Sequence, residues 1–162
     1  MRASHINPFI NAAKLVFETM LNTQVTVQKP RVKTDDRPSN DVTGIISLSG
    51  EAAGSMALSF PMATAVKVVE AFSGMKADPD NDAFTDAVGE LANMVAGNAK
   101  KYLDNLHIGI SVPTVIIGTS HRLGRHLLGP WMVLECNSDL GGFNIEVCVV
   151  EVSTHAGVGG NQ

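Results

Sequence analysis

The order of predicted secondary-structure elements repeats within this chain, and this repeat restricts the possible folds more than any other feature. A helix, a strand and a hairpin with a glycine-bounded turn follow one another from residue 8, and the same order returns from residue 82. The offset is about 75 to 90 residues, as in a duplicated unit. Two such units predict two long helices side by side on one antiparallel sheet, an α+β architecture.

Proline and glycine mark the boundaries in the first half. Asn7 and Pro8 predict a helix start, because asparagine caps helices and proline favours the first helical position. Apolar residues at helical spacing then indicate a helix over 8–22. The later elements are a strand over 23–32, a loop over 33–41, a hairpin over 42–60, and a helix opened by Pro61 and closed by Gly74.

The second half carries the longest helical pattern, which predicts a helix over 82–106. Three apolar segments follow, at 108–117, 127–136 and 143–152, with a turn at 137–142 before the last. In the last segment Phe143, Ile145, Val147 and Val149 alternate, as in a strand with one buried face. The length predicts one domain over residues 1–155 and a disordered tail over 156–162.

Composition excludes several classes of function. A net charge of −4 gives no basic footprint for nucleic acid. The segment His121–His126 collects positive and titratable groups that an acidic partner could meet, although a solvated loop is the commoner role. The terminus lacks a signal peptide and no stretch is long enough to span a membrane, so we expect a cytoplasmic protein.

The cysteines and histidines predict no metal site. Cys136 and Cys148 lie in apolar segments at a spacing that fits neither zinc nor a disulfide framework, so we expect buried, reduced thiols. The five histidines are scattered, and residues 78–82 begin like a calcium loop but then lack its glycine and its final glutamate. We therefore expect that this chain has no cofactor of its own.

The stretch DAVGELANMVAGNAK, residues 86–100, contains two glycines although each costs a helix about 1 kcal/mol relative to alanine. On a helical wheel an apolar group lies within about 60°, and a polar group lies opposite within about 80°. The apolar group predicts the buried seam: Phe84, Val88, Leu91, Val95, Tyr102 and Leu106. The polar group predicts an exposed ridge: Asp86, Glu90, Asn93, Gly97, Lys100 and Asp104.

Glu90 and Asn93 are three residues apart and therefore project to the same side of the helix. Gly97 lies one turn further and removes the side chain that would block access to Asn93, and Gly89 is expected to leave a second gap. A glutamate and an asparagine at this spacing also occur together by chance, and most exposed glutamates are only solvated. The conjunction of Asp86, Glu90, Asn93 and Gly97 on one exposed face favours a functional site.

This helix resembles the signature helix of the CheC/CheX/FliY phosphatases, with Asp86, Glu90 and Asn93 at the motif positions and Pro113 as the motif proline. The element order extends the resemblance over nearly the whole chain. In the first helix Glu18 is the acidic ridge residue, but Leu21 stands three positions later, so no second pair is present. A single site resembles CheX rather than two-site CheC, and the resemblance implies a homodimer joined through sheet edges.

The resemblance implies that the substrate is the aspartyl phosphate of a CheY-type receiver domain. Asn93 would orient the attacking water, because a carboxamide both accepts and donates hydrogen bonds. Glu90 would dock against the receiver's active-site lysine, since an exposed carboxylate is a poor general base. Mg²⁺ would belong to the receiver. Asp86, Gly97 and Lys100 are expected partner contacts, although a solvated face also accounts for Lys100.

A second interpretation comes from a different class of protein. The same ridge could hold a receiver domain or a flagellar-switch component without catalysis, because the related switch proteins share the architecture. Those proteins lack the glutamate and asparagine pair, so the presence of Glu90 and Asn93 favours the phosphatase.

Overall fold

The computed structural model describes residues 3–103, 106–118 and 129–152. The segment His121–His126, Asp104 and the predicted tail over 156–162 therefore lie outside the described residues. The described part contains three helices and an eight-stranded antiparallel sheet. In chain order the elements are α1 (Ala3–Leu21), β1 (Thr26–Val27), β2 (Arg31–Val32), β3 (Val42–Gly50), β4 (Ala52–Phe60), α2 (Met62–Ser73), α3 (Asp82–Lys101), β5 (Ile108–Ile110), β6 (Thr114–Ile117), β7 (Met132–Ser138) and β8 (Gly141–Glu151).

The sheet confirms the duplication and adds an exchange of strands between the halves. The strand order is β1-β7-β8-β4-β3-β5, with β2 also on β7 and β6 also on β3. The short strands of the first half thus pair with the hairpin of the second half, and those of the second half pair with the hairpin of the first. The two hairpins meet at the centre through β4 and β8.

The helices cover one face of this sheet. α1 and α3 pack against each other, as predicted, and α2 connects the halves. Phe143, Ile145, Val147 and Val149 of β8 are buried under the helices, which confirms the predicted alternation. Phe17 of α1 stacks on Phe143 with ring centroids 4.5 Å apart. This apolar layer fixes both long helices relative to the sheet.

The other face of the sheet is covered partly by the loop over 33–41. Glu146 is fully buried there, and its Oε1 accepts hydrogen bonds from the Ser39 backbone N at 2.8 Å and the Ser39 Oγ at 2.6 Å. Lys33 Nζ lies 3.1 Å from Glu146 Oε2. Asn40 adds hydrogen bonds to Ser59 of β4. The predicted loop is therefore present, and a buried ion pair anchors it.

The predicted start of the first helix is wrong. α1 runs over Ala3–Leu21, and Pro8 lies inside it rather than at its first position. Tertiary contacts hold the additional turn, because Ile6 is buried in the core and His5 Nε2 lies 2.9 Å from Glu151 Oε1. These contacts offset the backbone hydrogen bond that proline cannot donate.

The predicted end of the long helix is also wrong. α3 ends at Lys101, and Tyr102 is 47% exposed instead of lying in the buried seam, while half-buried Leu106 lies beyond the helix. Two hydrogen bonds hold the chain after α3 against Glu51, outside a helical path. Glu51 Oε2 accepts from the His107 backbone N at 2.6 Å, and the Glu51 N donates to the His107 O. The chain must leave the helix here to pair β5 with β3.

Two predicted strands are each divided by a proline. The strand over 23–32 becomes β1 and β2 on either side of Pro30, and the segment 108–117 becomes β5 and β6 on either side of Pro113. Proline cannot donate to a strand ladder, so both interruptions fall on the edges of the sheet, where they cost least. Within the described residues, no helix is long and apolar enough to cross a membrane.

Candidate active site

α3 is held at both ends and along its buried side. The Asn81 side chain caps its start by accepting from the Ala83 N at 2.9 Å, and Lys100 and Lys101 in its last turn suit the negative end of the helix dipole. The predicted seam is confirmed over the helix itself, because Phe84, Val88, Leu91 and Val95 are all buried. The opposite side of α3 is therefore presented to solvent in a fixed orientation.

The ridge of α3, defined by Asp86, Glu90, Asn93, Gly97 and Lys100, lies on that side. Asp86, Glu90 and Lys100 are exposed, and Asn93 and Gly97 are partly exposed. Asp86 is one turn before Glu90, and Gly97 is one turn after Asn93. The structure thus brings these five predicted residues onto one continuous surface.

The side chains of Glu90 and Asn93 are unengaged within the described part of the chain, where neither forms a hydrogen bond or an ion pair. Asn98, five residues further along the same helix, behaves differently. Its Nδ2 donates to the Met94 carbonyl at 2.8 Å and its Oδ1 accepts from Lys101 Nζ at 3.3 Å. The Asn93 carboxamide therefore keeps its donors and its acceptor available for a ligand.

Gly97 leaves open space beside Asn93, in agreement with the prediction. A Cβ built at Gly97 would meet one atom within 4 Å, the Ile110 Cδ1 at 3.9 Å, which is an ordinary contact. The packing of the described residues therefore permits a side chain at this position. The glycine keeps the surface next to Asn93 low and accessible.

The gap predicted at Gly89 is absent. Gly89 is buried, and a Cβ built there would stand 3.2 Å from the Pro113 Cγ and 3.4 Å from the Val115 Cγ2. The connection between β5 and β6 fills this space. Gly89 thus gives close packing of helix against sheet edge, and only Gly97 gives access.

Pro113 and the ridge enclose a shallow cleft of about 510 Å³. Its lining residues are Thr85, Asp86, Glu90, Pro113 and Val115. Thr85 and Val115 are additions that sequence reasoning missed; Thr85 precedes Asp86 on α3, and Val115 is a half-buried residue of β6. The cleft places Pro113 beside Glu90, although 23 positions separate them in sequence.

The first helix carries no equivalent pair, but the residues that replace it differ from the predicted ones. The buried residues of the two helices align in one register, in which Phe9, Ala12, Ala13, Val16 and Phe17 match Val88, Leu91, Ala92, Val95 and Ala96. This register sets exposed Asn11 opposite Glu90 and exposed Lys14 opposite Asn93. Leu21 lies opposite Lys100 in this register and is buried, so it is not the counterpart of Asn93. Because α1 has Asn11 and Lys14 where α3 has Glu90 and Asn93, the first helix carries no second pair of glutamate and asparagine.

Two other features lie apart from the ridge. A polar cleft of about 570 Å³ at the end of α1 contains none of the predicted site residues.

Cys136 and Cys148 are buried, free thiols, as predicted. Burial raises the pKa of Cys136 to about 12 and also raises the pKa of Cys148, so both thiols are protonated at neutral pH and are poor nucleophiles. Among the described residues no three metal-binding side chains cluster.

The arrangement on α3 therefore offers a carboxylate and a free carboxamide on a rigid, convex surface, with a shallow cleft at one side. Such a surface can enter a partner's concave site but cannot enclose a small molecule, because binding pockets bury most of their ligand. The chemistry available to it is positioning and hydrogen bonding.

Known proteins resemble this chain in sequence and in fold. The family model described as chemotaxis phosphatase CheX matches residues 42–136, more than half of the chain. This chain belongs to the CheX family. The matched residues include the whole of α3, on which Asp86, Glu90 and Asn93 lie.

Individual members of the CheX family resemble the chain over most of its length. The CheY-P phosphatase CheX of Thermotoga maritima is 31% identical over 126 residues, which are 76% of this chain and 81% of that protein. The crystal structure of the chemotaxis protein CheX from Vibrio vulnificus has 31% identity and a TM-score of 0.82, covering 91% of this chain and 100% of that one.

A CheX–CheY–BeF₃–Mg²⁺ complex from Borrelia burgdorferi shares the fold, with a TM-score of 0.74 and 22% identity. The match covers 93% of this chain and 100% of that one.

Proposed function

We propose that this chain is a phosphatase that hydrolyses the aspartyl phosphate of a CheY-type response regulator. Membership of the CheX family and the Thermotoga maritima relative named for CheY-P phosphatase activity support the reaction. The observation that carries the proposal is that Glu90 and Asn93 project from one exposed ridge with no hydrogen-bond partner among the described residues.

In this proposal Asn93 positions the attacking water. Its carbonyl oxygen accepts a hydrogen bond from the water, and its NH₂ group donates to a phosphoryl oxygen. The water oxygen bonds to phosphorus while the bond from phosphorus to the aspartyl oxygen breaks, which releases a carboxylate and inorganic phosphate. Such transfers depend on positioning and charge stabilisation more than on a strong base.

Glu90 has the docking role, through an ion pair with the receiver's lysine, and so sets how far Asn93 enters the site. Mg²⁺ is assigned to the receiver, as the Borrelia burgdorferi complex with CheY, BeF₃ and Mg²⁺ suggests. It would neutralise charge on the phosphoryl group. Asp86, Gly97 and Lys100 are proposed as further partner contacts along the ridge, with Asp86 reached through the cleft beside Pro113.

Turnover decides between this proposal and a non-catalytic binding module. A trace of the wild-type chain is added to an excess of phosphorylated receiver domain, and the release of inorganic phosphate is followed. Asn93→Ala should lower the rate at least about a hundredfold while binding to the BeF₃-loaded receiver survives. Asn98→Ala is the matched control, because this amide is already bonded to its own helix. Stoichiometric binding with no faster decay by wild type would support the binding module.

The homodimer and the cytoplasmic location remain predictions. The edges of the sheet are formed by β1 with β2 and by β5 with β6, and each of these strands has only two to four residues. Extensive edge-to-edge pairing would therefore need the interrupted strands to straighten. Light scattering on the purified chain measures its mass in solution and tests the dimer.

A further inference from the structure

The two edges of the sheet are built alike, which allows their residues to be compared one by one. At one edge Thr26 pairs with Asn137 and Arg31 with Val133; at the other Gly109 pairs with Ser49 and Thr114 with Ile45. Both intervals contain a proline just before the second pairing, Pro30 and Pro113 respectively.

The hydrogen bonds inside these intervals also correspond. The Gln28 N donates to the Glu135 carbonyl at 2.8 Å, and the Ser111 N donates to the Ser47 carbonyl at 3.0 Å. Lys29 and Val112 are therefore equivalent positions in two copies of the same structural unit, each between a ladder-bonded residue and a proline.

The residue types at these two positions differ in polarity. Lys29 is exposed, and lysine is a usual residue for an edge that must stay free of unwanted pairing. Val112 is 82% exposed, the highest value among the large exposed apolar side chains of the described residues. Since the same backbone accepts lysine in the other half, folding does not require an apolar residue here. The exposed valine is therefore available for a contact outside this chain.

Val112 immediately precedes a residue of the proposed docking surface, and its backbone is held in place. The next residue, Pro113, packs at Gly89 of α3 and lines the cleft together with Glu90. The Ser111 Oγ accepts from the Ser47 N at 2.9 Å and donates to the Val112 carbonyl at 2.8 Å. A partner would therefore meet a preorganised apolar side chain and lose little entropy in ordering it.

We infer that Val112 is an apolar docking contact for the phosphorylated receiver domain on which Glu90 and Asn93 act. The inference rests on the proposed function and adds a requirement to it: the partner presents an apolar side chain beside its phosphorylated aspartate. The half of the chain that carries Glu90 and Asn93 has the valine. The half in which Asn11 and Lys14 replace them has the lysine.

The test introduces the same residue at both equivalent positions. Val112→Thr keeps the size and β-branching of valine but replaces a methyl group with a hydroxyl, and Lys29→Thr is its matched control. Initial rates of phosphate release are measured against receiver concentration for each variant, with binding to the receiver loaded with BeF₃ and Mg²⁺. Thermal melting and light scattering on the same samples report folding and mass.

Val112→Thr should raise KM and Kd by roughly tenfold and leave kcat within about twofold, because an apolar contact is lost but Asn93 remains in place. Lys29→Thr should change none of these values. An unchanged KM and Kd for Val112→Thr, with wild-type turnover intact, would overturn the inference and leave the proposed function standing.

Two further results are distinguishable. A change in mass caused by Val112→Thr would assign the valine to a contact between copies of this chain and would overturn the inference. If wild type binds the loaded receiver without turnover, the proposed function fails. In that case the Kd of Val112→Thr still decides whether the valine is a docking contact.

Discussion

Gly44 of β3 lies directly against Ala92 of α3, and a Cβ built on Gly44 would stand 2.9 Å from the Ala92 Cβ. Ala92 is fully buried, and it precedes Asn93 on the ridge. The distance between helix and sheet at this point therefore determines how far the proposed catalytic amide projects.

Gly44→Ala should destabilise the protein by about 1–3 kcal/mol, because two rigidly held Cβ atoms would overlap and α3 would have to shift. Urea denaturation measures the loss. Adding Ala92→Gly should remove the overlap. The double variant should recover only part of the lost stability, because a glycine inside a helix itself costs about 1 kcal/mol. An unfolding midpoint unchanged by Gly44→Ala would mean that the close approach does not constrain the fold.

Gly97→Leu separates stability from docking. The open space at Gly97 accepts a side chain, and leucine is a better helix former than glycine, so thermal stability should hold or rise by up to about 1 kcal/mol. Affinity for the loaded receiver should fall, since the new side chain would stand beside Asn93. Gly97→Ala is the smaller control and should keep most of the affinity. Equal affinity for the leucine variant and wild type would remove Gly97 from the contact surface.

Glu146→Gln should destabilise the protein by about 3 kcal/mol, because the Lys33 ammonium loses its buried carboxylate and keeps only the exposed Asp35, at 3.5 Å. The Lys33 and Glu146 side chains are only 8% and 1% exposed. Glu135→Gln is the control. Glu135 pairs with Arg31 at 2.8 Å, but both side chains are about half exposed. The control variant should therefore lose under about 1 kcal/mol of stability. Similar losses for the two variants would show that burial does not strengthen the pair.

Cys136 should make stability fall at alkaline pH. Burial raises its pKa to about 12 in the folded state, above the ordinary value of 9.0. The folded chain therefore retains a proton that the unfolded chain releases, so this contribution is complete below about pH 9 and is lost as pH rises towards 12. Denaturation of wild type and Cys136→Ala at pH 8 to 11 checks it: the wild type should lose more stability. Equal losses of stability in the wild type and in Cys136→Ala between pH 8 and 11 would contradict the raised pKa of Cys136.

The sequence predicted the elements that depend on local pattern. Alternation gave the buried face of β8, the glycine at 74 ended α2 in the left-handed conformation with φ 70°, and helical spacing put Glu90 and Asn93 on the outer side of α3. Each of these follows from residues a few positions apart. Wheel geometry alone therefore separated the ridge from the seam.

Predictions from local sequence pattern were wrong where contacts with residues distant in sequence set the conformation of the chain. Pro8 stays inside α1 because Ile6 and His5 are held by the core and by Glu151. α3 stops early because Glu51 binds the backbone of His107. No sequence window contains these partners together.

The ridge was thus determined by the sequence itself, because a rigid helix converts residue spacing directly into a shared face. Tertiary structure alone decided that Pro113 fills the space at Gly89, that Asn11 and Lys14 are the counterparts of Glu90 and Asn93, and that Val112 is exposed at the edge of the sheet. The relations of Pro113 and Val112 depend on the exchanged sheet edges, whose pairings join residues of opposite halves of the chain, and the match between the helices depends on which of their residues the core buries.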